Sequence, residues 1–239
     1  SGVNHNTGTY VSWNWKAGAA FSNNAGTNGA TIASTGKVNT TAGFSIVSFV
    51  GNQTSGATVA HGLGAVPKVV IIKGRDSALD WRSYFAPVGH TKYMTLNTTE
   101  AGTTASNFMN DTAPTSTLFS LGNGETPNKN GENYIAYCFA EKTGYSKFGS
   151  FEGNNNADGT FVYLGFKPSL IITKSVDTGG TNYDWLMFDN KRNTGNLNDD
   201  FLEANNSDAE TTSGRNAIDF LSNGFKCRTS YGDLNSNQT

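Results

Sequence analysis

Charge is scarce in this sequence. Lys, Arg, Asp and Glu supply 15% of the 239 residues, where an average soluble domain has about a quarter. The formal net charge is −2 and the isoelectric point about 5.9, so the chain has no basic footprint for nucleic acid or an anionic membrane surface. Cysteine is scarcer still. Cys138 and Cys227 stand too far apart for a disulfide framework or a Cys/His metal site. Each sits in an apolar segment and reads as a small buried hydrophobe. The longest apolar run, around residues 68–72, falls far short of the ~20 residues of a membrane span. No basic stretch followed by an apolar one opens the chain, so no signal peptide is expected. Helical periodicity is nearly absent, with one helical turn expected near residues 199–204.

Gly, Asn, Thr and Ser fill the space that charge leaves, with 28 Gly and 29 Asn. Between them run short segments rich in β-branched and aromatic residues: 44–50, 68–73, 134–140, 161–164, 170–174 and 217–221. Turn pairs bound these runs, among them Gly51-Asn52, Asn123-Gly124, Asp158-Gly159, Gly179-Gly180 and Asn223-Gly224. Short runs so punctuated read as strands of an antiparallel all-β protein. Residues 10–16 alternate strictly, with Tyr10, Ser12, Asn14 and Lys16 on one face and Val11, Trp13 and Trp15 on the other. They predict an N-terminal strand.

An internal repeat organises the rest. Gly51 aligns with Gly153, Pro67 with Pro168, Lys73 with Lys174, Asp80-Trp81 with Asp184-Trp185, Asn97 with Asn205 and Phe119 with Phe220. The spacing of about a hundred residues is too long for a solenoid unit and fits a duplicated β domain. The expected architecture is two tandem β-sandwich-like domains related by duplication. Residues 1–42 form the N-terminal strand and a Gly/Asn/Thr-rich connector, 43–143 the first domain and 144–239 the second. The first copy closes with an aromatic strand at 134–140, and no counterpart follows the second copy. A last strand is therefore expected to be missing there, leaving an edge open to augmentation by a neighbouring chain.

Chemistry is harder to find. The sequence lacks a Gly-x-Ser-x-Gly elbow, a Walker loop, His-Glu-x-x-His and Cys-x-x-Cys, so no catalytic residue is expected. The histidines are His5, His61 and His90. His61 aligns near Tyr163 of the second copy and reads as a packed turn residue. Glycosidase-like carboxylate pairs (Asp80 with Asp184, Glu100 with Asp111, Asp199 with Asp200) have no spacing that places them across one cleft. The Asn-rich loop 154–159 lacks the alternating Asp and terminal Glu of a calcium site. It reads as a structural loop, and neither metal nor cofactor is expected. Trp81, Tyr183, Asp184 and Trp185 are the candidate ligand-binding residues, because aromatic faces beside carboxylates and amides suit sugars. The plainer reading is that each Trp heads a buried strand with its Asp in the preceding turn.

The stretches 10–18, 134–140 and 144–150 together make the chain resemble a family of virion proteins of tailed phages, tail-fibre or virion structural proteins, many from marine phages. Gly62-Leu63-Gly64 followed by Pro67, and the stretches 110–116 and 218–226, add to the likeness, which runs from Tyr10 to about Ser230. The resemblance implies β-rich homo-oligomeric fibres that fold in the host cytoplasm and work outside it on the particle. It carries no catalytic residues to transfer, and the chain departs from it in lacking a second aromatic strand after Gly232. The role expected is therefore a non-enzymatic, lectin-like fibre module that binds a host surface polysaccharide or protein and other virion proteins, without nucleic acid or membrane insertion. The alternatives are a purely structural virion component or, more remotely, a polysaccharide depolymerase.

Overall fold

A computed structural model describes residues 6–193, 195–212 and 214–237; His5 lies outside them. The chain is predominantly β, 33% strand and 5% helix, in several antiparallel sheets. Among the described residues no helix is long and apolar enough to cross a membrane.

The first half contributes β1 (Ala19–Asn23), β2 (Ser34–Asn39), β3 (Phe44–Val50), β4 (Ala57–Ala60), β5 (Val69–Gly74), β6 (Arg82–Phe85), β7 (Lys92–Thr95), β8 (Thr103–Thr104), β9 (Leu118–Leu121) and β10 (Asn133–Phe139). Two single-turn helices, α1 (Ser106–Met109) and α2 (Glu125–Asn128), flank β9. Eight strands form one sheet in the order β1-β2-β3-β10-β5-β6-β7-β8. β10, last in the half, enters the middle and pairs antiparallel with β3 and β5. Alternation fixes its register: Tyr134, Ala136 and Cys138 are wholly buried on one face, while Ile135, Tyr137 and Phe139 face the other. The β4–β9 ribbon covers the first face. Val59, Phe119 and Leu121 from the ribbon meet Val47, Phe49, Val70, Ile72 and Tyr134 from the sheet in a sandwich-like core. Each large side chain buried there contributes roughly 1.5–3 kcal/mol.

The second half is smaller. It holds β11 (Phe161–Tyr163), β12 (Leu170–Thr173), β13 (Leu186–Asp189), β14 (Leu202–Glu203), β15 (Ile218–Leu221), β16 (Gly224–Cys227) and the helical turn α3 (Gly232–Asn235). Two three-stranded sheets, β11-β16-β15 and β12-β13-β14, enclose Ile171, Phe188, Phe201, Ile218, Phe225 and Cys227.

Two expectations change. Residues 10–16 join no β-ladder; Trp15 instead rests on Phe44 and Phe139 at 6.4 and 6.0 Å between centroids, and the large sheet is completed from the connector by β1 and β2. Residues 199–204 hold the strand β14 rather than a helical turn, because Leu186 and Met187 of β13 offer an edge to pair with. Phe119 meets Phe49 edge-on at 6.0 Å, and Phe225 meets Phe151 edge-on at 5.7 Å.

Both cysteines are free, wholly buried, and pushed up to about 12 by desolvation. The thiolate is the reactive form. The folded protein is therefore expected to leave an aromatic disulfide reagent unreacted at pH 8, and to react with two equivalents in denaturant. Fast reaction of either thiol in the native state would show its burial to be wrong.

Candidate functional site

Each Asp-Trp pair is held by an asparagine from the next strand's end. In the first half the Trp81 amide donates to Asn97 Oδ1 at 2.8 Å, Asn97 Nδ2 donates to Asp80 at 3.0 Å, and the Leu96 amide donates to the Trp81 carbonyl at 2.9 Å. In the second, Trp185 donates to Asn205 at 2.7 Å, Asn205 to Asp184 at 2.8 Å, and Ala204 to Trp185 at 2.9 Å. Each Trp thus directly precedes a strand, β6 or β13. The geometry commits both aspartates to orienting an amide.

A second asparagine clasp also recurs. Asn128, at the end of α2, accepts from the Asn52 amide at 2.8 Å and donates to the carbonyls of Gly122 and Thr54 at 2.9 and 3.1 Å. Asn235, at the end of α3, accepts from the Asn154 amide at 3.2 Å and donates to the Thr229 and Asn156 carbonyls at 2.7 and 2.9 Å. The preceding glycine is required at both places. A Cβ on Gly51 would lie 2.3 Å from the Lys129 carbonyl oxygen, and one on Gly153 2.1 Å from that of Ser236. The 154–159 loop is spent on this clasp and on its own turns: Asn154 and Asn156 cap the amides of Asn156 and Asp158, and Asp158 pairs with Lys226 and Arg228.

The two tryptophans differ in exposure. Trp81 is half-buried and stacks on Tyr137 of β10 at 6.3 Å. Trp185 is 4% exposed, donates its indole N–H to the Thr95 carbonyl at 3.1 Å, and lies 5.5 Å from Phe85. It fastens the second half to β6 and β7 of the first. Tyr183 is half-buried, its amide donating to the Gly180 carbonyl at 3.2 Å. The four candidates are not gathered in one place: Asp184 lines one cleft, Trp185 lines another, and Trp81 and Tyr183 line neither.

Asp184's cleft, about 450 Å³, is polar throughout, with Asn182, Glu203, Asn206, Asp208, Thr211 and Arg215 among its walls. Arg215 holds it together, donating to Glu203 and Asp233 at 3.2 Å and to Asn182 at 3.3 Å. Burial pushes the Asp233 carboxyl up, against the opposing bond from Asn216 at 2.8 Å and the Arg215 charge. These residues come from separate segments, and nothing local in the sequence marks them. The arrangement suits hydrogen bonding to a neutral, hydroxyl-rich ligand.

His61 is fully buried between the Thr115 carbonyl at Nε2 and the Leu63 amide at Nδ1, both at 3.2 Å. Asp199 and Asp200 bracket Asn193. Among the described residues no group of three or more His, Cys, Asp or Glu side chains is arranged to hold a metal ion.

Antiparallel sheets with sandwich-like layering and two cores joined at Trp185 define an all-β protein. Over residues 1–239 the chain matches a domain of unknown function (DUF7483), and it belongs to that family. No curated protein matches it, nor does any solved structure.

Proposed function

We propose that the chain is a non-enzymatic structural module of a phage tail fibre or virion, built from two β-sandwich-like domains related by duplication and acting through protein–protein contact. The paired Asp-Trp-Asn and terminal Asn clasps support the duplication, and the likeness of residues 10–18, 134–140 and 144–150 to virion proteins supports the setting. The observation that carries the structural role is Trp185. An aromatic needed to stack on a sugar must be exposed, and this one is bonded inside the junction of the halves. A glycan array with the purified protein, run with its mass in solution, tests this. The expected outcome is a defined oligomer with no selective glycan binding.

A second reading, recognition of a host surface glycan, is favoured by the polar cleft around Asp184 and Arg215. Selective binding that disappears in Asn206→Ala, with the fold retained, would establish that reading and displace the first.

A further inference from the structure

β10 is the strand that closes the first half, and the second half has an open cleft of about 380 Å³ at the matching place. In the first half β10 lies between β3 and β5, with α2 over one end: the Tyr134 hydroxyl donates to the Glu125 carbonyl and accepts from the Lys129 amide. In the second, residues 149–153 stand for the end of β3 and Gly51, as the Phe49 and Phe151 contacts show. β12 stands for β5 and α3 for α2. The cleft is walled by residues 149–153, 172–177 and 232–234 of the second half, and Phe85, Val88 and Met94 of the first half close it. Trp185 lines it, where its counterpart Trp81 stacks on Tyr137 of β10.

Backbone geometry points the same way. The Asn190 amide donates to the Ser169 carbonyl at 3.1 Å, one step beyond the Leu170–Asp189 pair of the β12–β13 ladder. Hydrogen-bonding direction alternates along an antiparallel strand, so Ile171 and Thr173 face β13. Leu170, Ile172 and Lys174 turn their N–H and C=O groups to the free edge of β12, and Ile172 and Lys174 line the cleft. In the first half the same edge of β5 is taken by β10, the Arg75 amide just beyond β5 donating to the Asn133 carbonyl at 2.8 Å. Ile172, 46% exposed, presents an apolar side chain beside these groups.

We propose that this cleft is a strand acceptor, binding an extended peptide segment antiparallel to β12. The occupant has the alternation of β10: aromatic or small residues at alternate positions and no proline. Main-chain bonds to the edge supply affinity and the alternate side chains supply register. The inference rests on the cleft and on the duplication proposed above, not on the virion setting, which a glycan array tests separately.

The test is titration of the 239-residue protein with a synthetic peptide of the sequence of residues 131–141, followed by fluorescence and by hydrogen exchange read amide by amide. Saturable one-to-one binding is expected, with the midpoint of thermal unfolding raised. New protection should fall on the amides of Leu170, Ile172 and Lys174, while those of Ile171 and Thr173, already bonded to β13, stay unchanged. A scrambled peptide of the same composition should lose the binding. No binding by the ordered peptide, equal binding by the scrambled one, or protection elsewhere would overturn the proposal. So would a dimer of the protein alone in which those three amides are already protected, since a second copy would then fill the cleft.

Discussion

Asn128→Ala is expected to destabilise the protein by about 3 kcal/mol or more, read as a lower urea midpoint with an unchanged slope. The side chain is fully buried and makes three hydrogen bonds to backbone groups of two different loops. Alanine removes all three at once and leaves the Asn52 amide and the Gly122 and Thr54 carbonyls without that partner, at a cost of about 1 kcal/mol or more for each group left buried. Asn235→Ala removes the equivalent set in the second half and should cost a similar amount. Since a domain of this size has only about 5–15 kcal/mol in total, either change is a large fraction. Asn128→Asp separates shape from hydrogen bonding: it keeps the acceptor but loses the amide donor, so it should remain well below wild type. A loss under about 0.5 kcal/mol in Asn128→Ala, the range of ordinary surface changes, would show that the clasp is not structural.

Stability should also fall as the solution is acidified from pH 6.5 to 4, and His61 is the reason. Burial lowers its pKa from 6.5 to about 4, the bond to the Thr115 carbonyl opposing only part of that. The ring is neutral in the fold: Nδ1 accepts from the Leu63 amide, so Nε2 carries the proton donated to Thr115. In the unfolded chain the ring takes up a proton near pH 6.5, while the native ring resists until about 4. The unfolded state therefore binds more protons across that window, and stability is complete above pH 6.5 and lost toward pH 4. The contribution is about 3 kcal/mol at most. His61→Gln, which has no titrating ring, should be less stable than wild type at pH 7, and the gap should close as pH falls. Parallel stability curves for the two proteins from pH 7 to 4 would show that His61 is not held neutral.

Much of the strand content was legible in the sequence, for a local reason. The runs at 44–50, 134–140, 161–164, 170–174 and 217–221 alternate or cluster β-branched and aromatic residues, and each coincides with a strand to within a residue or two. The two-residue turn at Ser222-Asn223 joins β15 to β16 where Asn223-Gly224 marked it. Residues 10–16 show the limit of the same rule. Alternation makes a segment able to pair, but pairing needs a free edge in reach, and here Trp13 is drawn under Arg192 at 5.7 Å and Trp15 onto Phe44 and Phe139.

The candidate site was legible only in part. The repeated Asp-Trp and its distant Asn were visible as an alignment, yet their use as a backbone clasp was not, because a hydrogen bond from Asn205 to Asp184 depends on two strands lying side by side. The sequence by itself determined the all-β class, the turns and the fate of the cysteines, since each follows from residue chemistry and spacing along a few neighbours. Tertiary structure alone decided that β10 inserts between β3 and β5, that Trp185 is turned into the junction rather than toward solvent, and that Arg215 draws Glu203 and Asp233 together. Those outcomes rest on contacts between residues far apart in the chain, where the gain is burial and hydrogen bonding shared between segments that carry no local mark of each other.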